Sequence, residues 1–307
     1  MKRILITGAS GFLGQQVIPM LEPLGFEIHT AGRSSASSSA ANITHHRCSL
    51  LETDTAESLI RSIRPTHLVH LAWCADAGSF WHSPENLKWL SASARLFESF
   101  AQNDGQRAVG VGSCAEYDWS SDVDLSEFAS PGQPSTLYGQ SKRAAGEWLQ
   151  AFSTGSRMSA AWGRLFFLYG PAGHPQRVPG AMFESLLNGQ PTPCPSGTHL
   201  RDYLFIRDAA AALVKLLESN VCGPVNIASG QAIRVSELIQ AAAVASGNPH
   251  LLRVGQTPTQ TSNNPERIVA DISRLQNEVG FQPTVSLSSG MAETVAWWRK
   301  NQKVRAA

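Results

Sequence analysis

The chain lacks the marks of several protein classes. Its five cysteines (Cys48, Cys74, Cys114, Cys194 and Cys222) are odd in number and form no Cys-x-x-Cys pair. That argues against a disulfide scaffold and for free thiols in a reducing compartment, the cytoplasm. Charged residues make up only 16% of the chain and nearly cancel, at a formal net charge of +1. No charge excess points to a nucleic acid or a membrane surface as partner, so any basic group that matters is local and aimed at a ligand. The opening Met1-Lys2-Arg3-Ile4-Leu5-Ile6-Thr7-Gly8 runs straight into a strand and a glycine turn, unlike a signal peptide or a membrane span. There is no internal repeat. His45-His46 has no carboxylate or thiol partner at metal spacing, so no metal is expected.

What is present is a long alternation of strands and helices. The 307 residues, 42% of them hydrophobic, suffice for a large core. Strands are predicted at Arg3–Thr7, Phe26–Ala31, His67–Leu71, Arg107–Gly112 and Met158–Leu165. Helices are predicted at Gly11–Leu24, Thr53–Ile63, Pro84–Gln102 and Ser135–Phe152, the first of them kinked by Pro19. Ser34–Asn42 is Ser/Ala-rich and reads as a loop. The pattern predicts an α/β fold, a doubly wound parallel sheet whose ligand lies beyond the carboxyl ends of the strands. After Tyr169 prolines and glycines become dense, and a helix is predicted at Gly180–Asn188. This divides the chain into a nucleotide-binding domain, residues 1–168, and a smaller lobe, residues 169–307. A later segment, Val225–Ala228, returns to the main sheet.

Thr7-Gly8-Ala9-Ser10-Gly11-Phe12-Leu13-Gly14 lies between the first strand and the first helix. Glycines there let the backbone approach a diphosphate, and the helix N-terminus offers N–H groups and partial positive charge. Gly8, Ser10, Gly11, Phe12, Leu13 and Gly14 are therefore candidate cofactor contacts. The second strand ends Ala31-Gly32-Arg33-Ser34, with no acidic residue to bind a ribose 2′-hydroxyl. Arg33 and Ser34 instead suit a 2′-phosphate, so NADP is preferred, with NAD as the alternative.

Tyr138-Gly-Gln-Ser-Lys142 puts a phenol and an ammonium on one helix face. Working a phenol at pH 7 means lowering its pKa by about 3, or about 4 kcal/mol. A cation about 4 Å away supplies roughly that much at an effective dielectric of 20.

With these residues in place, the chain resembles the extended short-chain dehydrogenase/reductase family, in its sugar-nucleotide epimerase/dehydratase/reductase branch. Thr7-Gly8-x-x-Gly11-x-x-Gly14 matches the cofactor turn and His70-Leu71-Ala72 the fourth-strand signature. Asn86, the pair Tyr138-x-x-x-Lys142, Gly170-Pro171 and Arg201-Asp202-Tyr203 match further landmarks. The resemblance implies a Rossmann-type sheet with a C-terminal substrate-binding lobe, and Leu71 and Ala72 beside the cofactor. It implies Tyr138 as the proton carrier, Lys142 on the nicotinamide ribose, and Ser113, four residues before Tyr117, completing the site. A strand-end serine can also simply cap the next turn. Arg201 falls on the arginine that grips the substrate diphosphate.

Departures narrow the reaction. The branch's 4,6-dehydratases carry Asp-Glu after the strand-end hydroxyl, where this chain has Cys114-Ala115. That removes dehydration. The substrate implied is a nucleoside-diphosphate sugar. A reductase of a 4-keto(-6-deoxy) sugar is the first expectation and an NAD-dependent 4-epimerase the alternative, with a non-catalytic NADP sensor third. The second diphosphate arginine is missing, with Arg267 nearby, and Phe167 replaces the usual asparagine. Trp73, Trp81 and Trp119 are candidates for an apolar substrate wall, and His174 for a loop contact. Trp297 and Trp298 read as packing. A homodimer is implied, through the helix carrying the Tyr/Lys pair and the one before it. Leu90, Leu96 and Phe97 suit that contact or plain core burial.

Overall fold

The structure is a computed structural model that describes residues 2–33, 42–74, 79–120, 122–175, 178–194, 197–255 and 265–305. Ser34, one of the expected cofactor contacts, lies outside the described residues. The chain opens with β1 (Arg3–Thr7), α1 (Gly14–Leu21), β2 (Glu27–Gly32), β3 (Ile43–Arg47), α2 (Thr55–Ile63), β4 (His67–His70), α3 (Glu85–Gln102) and β5 (Arg107–Ser113). It continues through α4 (Leu137–Thr154), β6 (Ser159–Leu165), β7 (Phe167–Tyr169), α5 (Gly180–Leu187), β8 (Thr192–Cys194), β9 (Leu200–Phe205), α6 (Ile206–Glu218) and β10 (Gly223–Ile227). It ends with β11 (Ala232–Arg234), α7 (Val235–Ala245), β12 (Leu252–Val254), β13 (Arg267–Ile268), α8 (Ser273–Asn277) and α9 (Leu287–Arg305).

Seven strands form one parallel sheet in the order β10-β6-β5-β4-β1-β2-β3. The alternating side chains of β1 explain why helices must cover both faces. Ile4 and Ile6 are buried with Leu13, Val17 and Leu21 around α1 and with Ala209 and Leu213 of α6. Leu5 is buried on the opposite side with Ile60 of α2, Leu96, Phe97 and Phe100 of α3, and Leu149 of α4. Leu96 and Phe97 are fully buried, so they belong to this core and are withdrawn from any subunit contact. The order reverses between β1 and β4, where a parallel sheet opens its ligand crevice.

β9 centres a second sheet, flanked by antiparallel β11 and by parallel β13 and β7. β8 and β12 form a separate parallel pair. Trp298 packs its ring 5.5 Å from Phe183 in the core beneath this sheet.

The first helix is shorter than its sequence pattern suggests at both ends. Gly11 bonds back to the Gly8 carbonyl (3.0 Å), so the turn consumes residues up to Leu13. Pro23 has no N–H to donate, and Glu22–Leu24 tightens into a 3-10 turn.

Candidate active site

The crevice at β1 and β4 is built by close backbone approach. Gly8 has a positive φ of 73°, and a Cβ there would lie 2.7 Å from the Ala72 nitrogen. A Cβ on Gly14 would lie 2.4 Å from the Gly8 carbonyl oxygen. Only glycine satisfies either position. The Ala72 N–H reaches the Thr7 hydroxyl (3.3 Å), which also bonds His70 Nδ1 (2.7 Å). His70 Nε2 meets the Ser93 hydroxyl at 2.8 Å. Burial holds His70 down at a pKa of about 3, so the ring is a neutral strut. These bonds fasten Leu71 and Ala72 against the glycine turn. Leu13, at the N-cap of α1, supplies no side-chain cap, so the helix's positive pole is left for a ligand. Ser10 and Gly11 are exposed, and Phe12 is half-buried. Such an exposed, compressed turn at a helix N-terminus fits a dinucleotide diphosphate. Arg33 follows β2 directly and is exposed.

Tyr138 and Lys142 stand one turn apart on α4. Thr136 caps this helix, its hydroxyl accepting from the Gly139 N–H (3.1 Å). A Cβ on Gly139 would meet the Ala115 carbonyl oxygen at 2.1 Å, so α4 is seated directly on the turn that follows Ser113. Tyr138 is half-buried, its ring edge-on to Phe80 (4.8 Å) and Trp81 (5.8 Å). Lys142 is buried, donating to the Val111 carbonyl (2.9 Å) with Nζ 4.0 Å from the Trp73 ring centroid. Burial pulls its ammonium down to a pKa of about 7, against the charge of Glu116. Lys142 therefore titrates near neutrality itself and is less than the full cation that its spacing from Tyr138 suggests.

Ser113 ends β5 as the N-cap of the turn Cys114–Glu116, its hydroxyl accepting from the Ala115 N–H (3.2 Å). The capping role weighed from the sequence is thus real. The side chain is half-buried rather than sealed off. Cys114 is buried, and burial pushes its thiol up to a pKa of about 12. It is no base.

Glu116 is the residue that sequence reasoning passed over. It is 1% exposed and makes three bonds. Oε1 accepts from the Ser113 N–H (2.8 Å) and Trp162 Nε1 (2.9 Å), and Oε2 from Arg164 Nε (2.8 Å). Arg164 Nη1 donates to the Tyr117 hydroxyl (2.9 Å), which donates to Asn226 Oδ1 (2.7 Å). The available signal was an arginine inside the otherwise apolar strand β6.

The remaining candidates separate. Trp73 donates to Asn86 Oδ1 on α3 (2.9 Å) and covers Lys142 on α4. Trp81 and Trp119 meet edge to face at 6.1 Å, and Trp119 Nε1 donates to the Cys114 carbonyl (2.8 Å). Phe80, Trp81 and Trp119 thus form an aromatic wall reaching Tyr138. Arg201 is buried on β9, donating to the carbonyls of Leu200 (2.8 Å) and Glu266 (3.4 Å). Its charge acts on Cys114, so β9 approaches the end of β5. Asp202 accepts from Ser229 N–H (2.7 Å), Ser229 Oγ (2.6 Å), Gly230 N–H (2.9 Å) and Ala270 N–H (3.3 Å). Phe167 lies 5.8 Å from the Arg201 guanidinium. Arg267 bonds Asp124 through Nε (2.9 Å) and lines a cavity of about 260 Å³ that none of the candidate site residues lines. His174 is exposed on the loop after β7. His46 Nε2 meets His29 Nδ1 (3.0 Å) and His45 Nδ1 meets the Thr30 hydroxyl (2.9 Å). Among the described residues, no group of three or more His, Cys, Asp or Glu is placed to hold a metal ion. None of their helices is long and apolar enough to cross a membrane.

The chain is similar to known proteins. UDP-glucuronic acid decarboxylase 1 of Xenopus tropicalis is 25% identical over 320 residues, spanning 99% of this chain and 74% of that protein. UDP-glucose 4-epimerase of Corynebacterium glutamicum is 23% identical, spanning 92% of this chain and 91% of that protein. In fold, the chain matches UDP-glucose 4-epimerase of Thermotoga maritima, solved with UDP-glucose. The TM-score is 0.85 at 21% identity, over 98% of this chain and 99% of that one. A family model covers residues 4–228, well over half of the 307 residues, and the chain belongs to the NAD-dependent epimerase/dehydratase family.

Proposed function

We propose that this enzyme reduces the ketone of a nucleoside-diphosphate 4-keto sugar, with NADP as its preferred cofactor. The observation that carries the direction is at the end of β2, where Arg33 is exposed and the sequence Ala31-Gly32-Arg33-Ser34 has no acidic residue for a ribose 2′-hydroxyl. When bound, the nicotinamide supplies the hydride. Tyr138 donates its phenolic proton to the substrate oxygen and is reprotonated from solvent. Ser113 positions that oxygen with a hydrogen bond. Lys142 holds the nicotinamide ribose and favours the phenolate left on Tyr138. The half-buried Tyr138 beside Phe80 and Trp81 suits a sugar with an apolar C6 methyl. Arg201 is assigned to the substrate diphosphate by its place in the family pattern. At the two places after Ser113 where the dehydratases carry Asp-Glu, this chain has Cys114 and Ala115, and Glu116 is bound to Arg164.

The alternative is a 4-epimerase, favoured by the 4-epimerase among its relatives. There Tyr138 first takes the proton from the C4 hydroxyl and later returns it. We also read the chain as a homodimer working in the cytoplasm. Leu87 on α3 and Trp148 on α4 are about half exposed, at 54% and 49%, on the two helices expected to meet their copies. Light scattering at micromolar concentration tests this, and a monomer refutes it.

Mass spectrometry of nucleotide released from purified protein, then NADPH consumption with a panel of 4-keto sugar nucleotides, separates the two reactions. Tightly held NAD with no net consumption selects the epimerase. Tyr138→Phe abolishes turnover while keeping nucleotide binding in either case. A purely sensing protein is indifferent to it.

A further inference from the structure

A buried ion pair beside a catalytic serine calls for a reason. Moving a carboxylate and a guanidinium out of water costs several kcal/mol each, and apolar side chains of similar volume often serve a core as well or better. Yet the fold makes elaborate room for this pair. Trp162, which holds Glu116 Oε1, lies over three glycines. A Cβ on Gly110, Gly112 or Gly146 would approach its indole to 2.4, 2.2 or 2.8 Å. A Cβ on Gly112 would also lie 2.2 Å from Glu116 Oε1. β5 and α4 thus share one seat for the Trp162–Glu116–Arg164 group.

The group has two outlets toward the reaction. One is mechanical: Glu116 Oε1 accepts the Ser113 N–H at 2.8 Å, closing the reciprocal cap that sets where the serine hydroxyl stands. The other is electrostatic: Glu116 is the carboxylate whose charge supports the buried Lys142 ammonium. Of the other titratable groups around this pair, some are neutral and some are charged but engaged elsewhere. His70 on β4 is held neutral, as are Tyr117 and Cys114 on the turn, all by burial. Arg164 on β6 is bonded to Glu116 itself, Arg201 and Asp202 on β9 face Cys114, Glu127 accepts from the Asn226 N–H, and Tyr138 shares α4 with Lys142.

We propose that Glu116 is a positioning residue of the active site: its carboxylate, clamped by Arg164 and Trp162, fixes the backbone at Ser113 and supplies the negative charge set against the Lys142 ammonium. This rests on the reading that Ser113, Tyr138 and Lys142 carry the reaction. Glutamine at 116 can still accept from Ser113 and Trp162, but brings no negative charge.

The test follows the titration of Lys142 by NMR in protein labelled with ¹³C at lysine Cε, the signal assigned with Lys142→Met. Glu116→Gln is expected to lower the Lys142 midpoint by about one pH unit, a tenfold change in proton affinity. Glu116→Asp returns it toward wild type. In turnover, Glu116→Gln loses about 10- to 100-fold at neutral pH and recovers part of the loss as pH falls. If Glu116→Gln leaves Arg164 uncompensated and fails to fold, Glu116→Gln with Arg164→Gln removes both charges; loss of the Arg164 cation offsets part of the change, so a smaller shift in the same direction is expected. An unmoved Lys142 midpoint, or a loss equal at every pH, overturns the proposal. Tyr138→Phe in parallel keeps the two claims apart. If that variant still turns over, the catalytic reading fails. If it is dead while Glu116→Gln leaves the Lys142 midpoint in place, the role of Glu116 alone fails.

Discussion

At the residue scale, Lys142 shows a conflict between stability and chemistry. Its folded pKa, about 7, lies below the reference 10.5, so between those values the unfolded chain holds more protons. Stability then rises with pH across that window, and the full cost of the buried charge is felt below it. Lys142→Met is expected to abolish turnover yet stabilise the fold by ~1–3 kcal/mol at pH 7, as calorimetry can show. Loss of both activity and stability would mean the ammonium is structural. Arg33 is the second test at this scale. Arg33→Ala is expected to weaken NADP binding by roughly 10- to 100-fold and leave NAD binding unchanged, by titration calorimetry. The places of Tyr138 and Lys142 on one helix and of Ser113 at a strand end were legible from spacing, while the roles proposed for them come from the family resemblance. Glu116 was not legible, because its partners Trp162 and Arg164 lie 46 and 48 residues away. The Ser113-x-x-Glu116 capping-box spacing reports only the bond to the Ser113 N–H, and the arginine in β6 does not say which carboxylate it meets.

At the element scale, α4 is positioned by what it touches rather than by its own propensity. Gly139→Ala would stabilise an exposed helix by ~1 kcal/mol. Here the added methyl would meet the Ala115 carbonyl at 2.1 Å, so the clash decides the sign. The expected outcome is a loss of ~2–4 kcal/mol in denaturant unfolding and a fall in turnover of more than tenfold, with nucleotide binding at the glycine turn retained. Element limits were legible where apolar runs meet turn residues. β1 and α5 begin where their patterns do. The first helix was overextended because the pattern counts apolar positions. It does not weigh the backbone bonds that the Gly8 turn and Pro23 remove. Leu96 and Phe97 show the same limit, since a helical stripe alone does not say whether sheet or subunit covers it. The short strands β7, β8, β11, β12 and β13 had no sequence signal, being two or three residues long and fixed by their partners.

At the scale of the whole molecule, the parallel sheet was legible from alternation alone, and its reversal between β1 and β4 brings the glycine turn to Ala72. The same architecture sets an acid limit. His70 and His67 are held down at pKa values of about 3 and about 4 by burial, below the reference 6.5. The unfolded chain then binds more protons below pH 6.5, so stability falls as pH drops, by up to ~1.4 kcal/mol per unit for each histidine. Urea unfolding from pH 7 to pH 4.5 is expected to show that slope, and His67→Gln to flatten it. An unchanged slope in His67→Gln would return the acid limit to other groups. The proposed role of Tyr138, protonating a ketone of a sugar nucleotide during reduction, is tested most directly by NADPH consumption by purified protein with 4-keto sugar nucleotides. Consumption by the wild type and none by Tyr138→Phe is expected. Wild type that releases bound NAD and consumes no NADPH with any of these substrates would contradict it.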